Sequence, residues 1–328
     1  MLAVARQHKF HYNGDGCCNI SGEGRGVMAK KSRSTNTSLN KARTARNDEF
    51  YTCLTDIERE CKHYEEQFHG KTILCNCDDP QVSNFFRFFF TSFHRLGLKR
   101  IISVCRKSKG GQGMYCVYDG KERTDGIIED GDFRSPASIE LLKQADIVCT
   151  NPPFSLFREY TAQLMTYRKE FLIIGNDNAI TYKEIFPLIK ENKLWRGYER
   201  VKQFITDKNE IKKFGNVGWY TNLDVSYRHE EMFLRKRYSP DKYPKYDNYD
   251  AIEVSKLADI PCDWGGCMGV PITFIEKYNP KQFEIIWTTD RGGDGMLDWL
   301  KKPYHLGYGS GYVNNVKLYK RIIIRRRI

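Results

Sequence analysis

The sequence predicts an α/β protein with a mostly parallel, doubly wound sheet, followed by a carboxyl-terminal recognition region. Three observations carry this reading. Short apolar runs at 72–75, 100–105 and 146–150 read as buried strands, segments with helical spacing lie between them, and from about residue 192 the alternation breaks up. Strands alternating with helices imply a parallel sheet covered on both faces, with ligands bound at the carboxyl ends of the strands.

The chain's 328 residues can bury a sizeable core. They hold 53 Lys and Arg against 41 Asp and Glu, a formal charge of +12. Such a surface favours an anionic partner, and nucleic acid is the simplest, because basic side chains displace counterions from phosphates. No apolar run approaches the roughly 18 residues needed to span a bilayer, and the amino terminus lacks a secretory pattern, so a cytoplasmic protein without membrane contact is expected.

Residues 1–46 are rich in Gly, Ser, Asn, Lys and Arg and read as a flexible basic arm. The Gly22-Glu23-Gly24-Arg25-Gly26 stretch has no strand before it and no helix after it, which argues against a phosphate loop. The catalytic domain is expected over 47–191. It opens with Thr55 to Glu58, a capping-box signature, and Ile57, Cys61, Tyr64 and Phe68 repeat at helical spacing up to Gly70. After strand 72–75, Ser83 is a good N-cap for an aromatic helix over 84–96, closed by Gly97. Strand 100–105, strand 114–118, helix 137–144 and strand 146–150, the fourth strand, follow. Helix 155–167, strand 171–175 and a helix over 182–190 complete the domain.

Residues 192–268, rich in Tyr, Trp, Lys, Arg, Asn and Gly, are expected to recognise a target. Residues 269–328 return to strands that complete the fold. A hairpin is expected over 272–278 and 283–287, and a last strand over 318–324 that ends in Arg325, Arg326 and Arg327. The eleven cysteines are scattered. Cys75 and Cys77 are separated by one residue and Cys17 and Cys18 by none, so no metal site is expected, and the thiols read as reduced.

The chemistry concentrates where strand 146–150 runs into Asn151-Pro152-Pro153-Phe154. Two prolines keep this backbone out of a helical ladder. The Asn151 side-chain oxygen and the Pro152 carbonyl can then both accept from an exocyclic amino group, and Phe154 offers a flat face for a base. Such acceptors raise the nucleophilicity of the amine and stabilise the charge that develops on it.

This turn resembles motif IV of S-adenosylmethionine-dependent amino methyltransferases, and Asp48-Glu49-Phe50-Tyr51-Thr52 resembles motif X of the adenine-specific DNA enzymes. Longer strings narrow the likeness to the EcoRI-type adenine-specific DNA methyltransferases over about residues 40–328. They are Asn47 to Thr52, Cys75-Asn76-Cys77-Asp78-Asp79-Pro80 with Val82 to Phe86, and Gly269 to Phe274 with Lys277 to Pro280. The resemblance implies a Rossmann-like methyltransferase sheet and transfer of a methyl group from S-adenosylmethionine to N6 of an adenine flipped out of double-stranded DNA. Asn151, Pro152 and Phe154 would hold that base, with Pro153 completing the turn. Phe50 and Thr52 would lie by the cosubstrate, Asn76, Cys77, Asp78 and Asp79 would border it, and Asp132 and Phe133 would meet its adenine. No metal is implied, a monomer suffices, and a companion restriction endonuclease would act without a stable complex. RNA or protein amino-group transfer, or a DNA-binding relative without catalysis, are the alternatives. One departure stands out: the loop after the first strand has no glycine, and no acidic residue follows strand two in Val104-Cys105-Arg106-Lys107.

Overall fold

The first described element is a short strand, β1 (Phe50–Thr52), which leads at once into helix α1 (Leu54–Cys61). The helix starts one residue before Thr55, and Cys53 stands at its N-cap without a side-chain bond, so the expected capping box does not form. The periodic residues do their expected work: Ile57, Cys61, Tyr64 and Phe68 are fully buried, although the helix breaks into a 3-10 turn after Cys61. The computed structural model describes residues 50–106, 112–206, 211–213, 215–289 and 310–327. The basic arm at 1–46 and its glycine cluster lie outside them.

Along the chain follow β2 (Thr72–Cys75), α2 (Asn84–Thr91), β3 (Arg100–Cys105), β4 (Gly113–Tyr118), β5 (Arg123–Ile128), α3 (Pro136–Gln144), β6 (Ile147–Thr150), α4 (Phe157–Thr166) and β7 (Glu170–Asn176). Ser83 caps α2 by accepting from the Phe85 and Phe86 amides, and Ser135 caps α3 with Pro136 in its first turn. α5 (Phe186–Lys190), β8 (Trp195–Arg200), β9 (Gln203–Thr206), β10 (Ile211–Lys213) and β11 (Val217–Thr221) come next. The main sheet has eight strands in the order β5-β4-β3-β2-β6-β7-β11-β8. Its centre, β3-β2-β6-β7, is parallel, and both margins are antiparallel.

Burial explains that division. β2 and β6 are buried at every position, as parallel strands covered on two faces must be. β5 is exposed at most positions and carries charge, which suits an edge. Those charges hid it in the sequence, and because it forms a strand, Asn151 follows the fifth strand of this sheet in chain order and not the fourth. One face packs Leu74, Val104, Val148 and Ile173 against Leu142, Tyr160 and Leu164. α1 packs on α2 and on β8.

β8 and β11 carry the main sheet on past residue 191. A second sheet, β12-β13-β17-β14, is built from β12 (Ala251–Glu253), β13 (Cys267–Pro271), β14 (Phe283–Thr288) and β17 (Arg321–Arg326), with a small ribbon of β15 (Tyr312–Val313) and β16 (Val316–Lys317) before β17. The expected hairpin over 272–278 and 283–287 is overturned. Ile272–Lys277 is a 3-10 segment that buries adjacent Phe274 and Ile275, and β17 inserts between β13 and β14. The last strand begins at Arg321 and not at 318: Ile322, Ile323 and Ile324 are fully buried, while Leu318 packs on the core only in part, ahead of the strand.

Candidate active site

β2 and β6 are parallel neighbours, so the loops after Cys75 and Thr150 leave the sheet on the same edge. Side chains tie those loops together. The Thr150 hydroxyl donates to one oxygen of Asp78, and the Ser83 hydroxyl donates to the other at 2.6 Å. The Asp78 amide reaches the Val104 carbonyl at 3.3 Å, and the Ser103 hydroxyl donates to the Asp78 carbonyl at 2.6 Å. This one residue therefore braces the ends of β2, β3 and β6 and the start of α2. Burial pushes its carboxyl up to about 6, against the opposing pull of its Ser83 and Thr150 hydrogen bonds.

Asn76 is buried, and its side-chain oxygen accepts from the Tyr160 hydroxyl on α4. Tyr160 packs edge-on against Phe133, with ring centroids 4.9 Å apart at 71°. It thus links two of the segments expected to border the cosubstrate. Phe133 itself is a core residue at 4 % exposure, under the guanidinium of Arg134. Asp132 pairs with Arg134 at 2.7 Å and with Arg106 at 3.5 Å, and the Arg134 hydrogen bonds hold its carboxyl below the usual range. Cys77 is half-buried and Asp79 accepts from the Gln81 amide at 2.8 Å. Burial raises the thiols of Cys75, Cys77 and Cys149, which leaves them neutral and poor nucleophiles.

On the other side of the turn, β1 pairs with β9 so that Thr52 lies opposite Phe204. Phe204 is buried and meets Phe154 edge-to-face, centroids 6.2 Å apart at 84°. The Thr52 carbonyl accepts from the Asn84 side chain at 2.8 Å, which ties β1 to the head of α2. The backbone of Phe50 is placed in the same strand. Asn151 and Phe154 are half-buried and Pro152 is buried, with α4 starting just beyond them. The arrangement gathers β1, the loop after β2, the 132–133 segment and the 151–154 turn around one edge of the sheet.

Tyr160, Thr150, Ser103 and Phe204 were not singled out in the sequence. Thr150 carried a local signal, as the hydroxyl residue next to the turn, but Phe204 arrives from a strand fifty residues away. Arg325, Arg326 and Arg327 are engaged within the second sheet: Arg325 pairs with Glu284 at 2.8 Å, Arg326 donates to the Cys262 carbonyl, and Arg327 to the Phe283 carbonyl at 3.3 Å. Among the described residues no group of three or more His, Cys, Asp and Glu is arranged to hold a metal, and no helix is long and apolar enough to cross a membrane.

Comparison with known proteins agrees with this geometry. The chain is 48 % identical over 290 residues to the type II methyltransferase M.EcoRI of Escherichia coli, an alignment covering 77 % of this chain and 89 % of that protein. It is 39 % identical over 314 residues to the type II methyltransferase M.MpnI of Mycoplasma pneumoniae, covering 88 % and 98 %. A further type II methyltransferase, M.MgeORF184P of Mycoplasma genitalium, is 39 % identical over 316 residues with the same coverage. No solved structure matches. The family described as adenine-specific methyltransferase EcoRI matches residues 38–327, and the chain belongs to that family.

Proposed function

We propose that this protein transfers a methyl group from S-adenosylmethionine to the N6 amino group of adenine at a specific double-stranded DNA site, as the modifying partner in restriction-modification. The observation that carries the reading is the Asn151-Pro152-Pro153-Phe154 turn at the end of β6, braced through Thr150 and Asp78 to the loop after β2. The residues present fit the cosubstrate. Asn76 Nδ2 and Thr52 Oγ1 are buried polar atoms with no partner among the described residues, in two segments that flank the turn. A polar ligand there would satisfy them. Asn76, Cys77, Asp79, Thr52 and Phe50 would hold it, with Phe133 and Asp132 at its adenine end. Asp78, with both carboxylate oxygens engaged inside the protein, shapes the loop. The doubly wound, Rossmann-like reading of the frame belongs to the same proposal and draws on the parallel centre of the sheet.

When bound, S-adenosylmethionine supplies the electrophilic methyl. The chain's own residues do the rest. Because a stacked base cannot reach the edge of the sheet, the adenine rotates out of the duplex at a cost of a few kcal/mol. Phe154 takes the base on its face while Phe204, packed edge-to-face against that ring, steadies it. The Asn151 side-chain oxygen and the Pro152 backbone carbonyl accept from the N6 amino protons, which aims the lone pair and stabilises positive charge as it develops. The proton leaves after transfer. Target reading falls within 192–268, on the parts that do not complete the main sheet, with the basic arm adding phosphate contacts. The protein works as a monomer, and the endonuclease it accompanies does not form a stable complex with it.

Asn151→Ala is expected to bind its DNA site normally and to lose methyl transfer by about 100-fold or more. Near-normal methylation by this variant, measured by mapping N6-methyladenine after expression in a methylation-free bacterium, overturns the assignment.

A further inference from the structure

The loop after β2 lacks the glycines that let backbone amides approach a ligand, and the backbone of Asp78 at its middle is engaged elsewhere. The Asp78 amide bonds to Val104 and the Asp78 carbonyl is taken by Ser103. What the loop offers instead is the Asn76 side chain. An amide side chain has one acceptor oxygen and one NH2 donor, so a partner fixed on one end decides where the other points. Tyr160, fully buried and clamped against Phe133, donates to Asn76 Oδ1. A flip of the amide would set its NH2 against that hydroxyl and leave the hydroxyl proton without its acceptor. The NH2 therefore faces away, buried and with no acceptor among the described residues, an arrangement that is costly unless something else accepts.

We infer that Tyr160 is a positioning residue for the cosubstrate: it holds the Asn76 amide so that Nδ2 donates to an acceptor oxygen of the bound ligand. The inference rests on the methyltransferase reading, and goes beyond it by giving a helix residue after the catalytic turn a part in cosubstrate affinity. Tyr160 sits three residues past the start of α4, which begins directly after Asn151 to Leu156. The same short stretch of chain thus serves the target base through its turn and the cosubstrate through its helix.

The test is calorimetric binding of S-adenosylhomocysteine to the full-length protein, with DNA binding and thermal melting in parallel. Binding by the wild-type protein is the control for the methyltransferase reading itself, and its failure would fall on that reading and not on Tyr160. Tyr160→Phe is expected to weaken S-adenosylhomocysteine about tenfold. DNA affinity should stay within about twofold, KM for S-adenosylmethionine should rise, and kcat should be largely kept. In an Asn76→Ala background the Tyr160 change should add almost nothing, because the effect runs through Asn76. Asn76→Asp keeps an oxygen for Tyr160 and removes the donor, so it too should lose about tenfold or more, and it serves if Tyr160→Phe does not fold. Repeating the series with methylthioadenosine, which lacks the amino-acid carboxylate, tells a carboxylate acceptor from a ribose hydroxyl: the loss disappears in the first case and persists in the second. Wild-type affinity in Tyr160→Phe or in Asn76→Asp, or full additivity in the double variant, overturns the inference.

Discussion

One hydroxyl, that of Thr150, joins the two loops of the candidate site, and its partner Asp78 is a carboxyl kept from water. Burial raises that carboxyl to about 6, above an unfolded value near 3.9, so the folded state holds an extra proton between those values. The stability this contributes is complete below about pH 4 and is lost as pH rises through about 6. Asp78→Asn should remove that dependence. Urea unfolding at pH 4 and pH 7 should show wild type losing about 2 to 3 kcal/mol more than the variant across the interval; equal losses would show that Asp78 does not titrate there. At this scale much of the candidate site was legible. A polar residue, two prolines and an aromatic at a strand end suggest their chemistry locally, since the groups proposed to act are neighbours in sequence. Asp78 was also picked out, yet as a ligand contact, because nothing in Asn76-Cys77-Asp78-Asp79-Pro80 reveals which carboxylate turns inward to Thr150 and Ser83.

Elements whose ends are set by local bonds matched expectation closely. β2 and β3 span the expected residues, and α2 starts after its Ser83 cap. Ser83 serves twice, capping α2 and donating to Asp78, so Ser83→Ala should lower stability by about 1 to 2 kcal/mol. An unchanged urea midpoint would place the helix start under other control. Elements set by distant partners were the ones misread. α1 has no capping side chain, and its inner face turns two buried carboxyls to the edge strand β8 and the link that follows it: Glu60 accepts from the Tyr198 amide at 3.0 Å and the Glu199 amide at 2.6 Å, and Asp56 from the amide of Lys202, between β8 and β9, at 3.0 Å. This covers the sheet edge that would otherwise be bare. Burial pushes the Glu60 carboxyl up to about 7, in spite of those bonds. The 272–278 run is apolar enough for a strand, but adjacent Phe274 and Ile275 are both buried, a pattern that a pleated strand with one buried face does not produce.

Across the whole molecule, charge and connectivity separate. The first 46 residues hold nine Lys and Arg against two acidic residues, more than half of the net +12. DNA affinity is therefore expected to fall steeply with salt, about tenfold or more between 50 and 200 mM, and the triple change Lys30→Gln, Lys31→Gln and Arg33→Gln should make the slope shallower with kcat unchanged. A salt slope unaltered by those changes would remove the arm from the DNA interface. The second sheet is held to the main body by Arg200 with Glu276 and by Lys320 with Thr181 at 3.4 Å, and its own centre by Arg321 with Glu253 at 2.8 Å. None of these pairs is nearer than 68 positions in sequence. By itself the sequence determined the alternating frame, the buried central strands, the turn proposed to hold the target base and the family, because each is written in residues a few positions apart. Only the tertiary structure decided that both margins of the sheet are antiparallel, that β17 lies between β13 and β14, that Tyr160 and Phe204 meet the candidate site, and that Asp78 turns inward to Thr150 and Ser83. Those outcomes depend on which distant surfaces bury one another, a choice made by packing over the whole chain that no local pattern encodes.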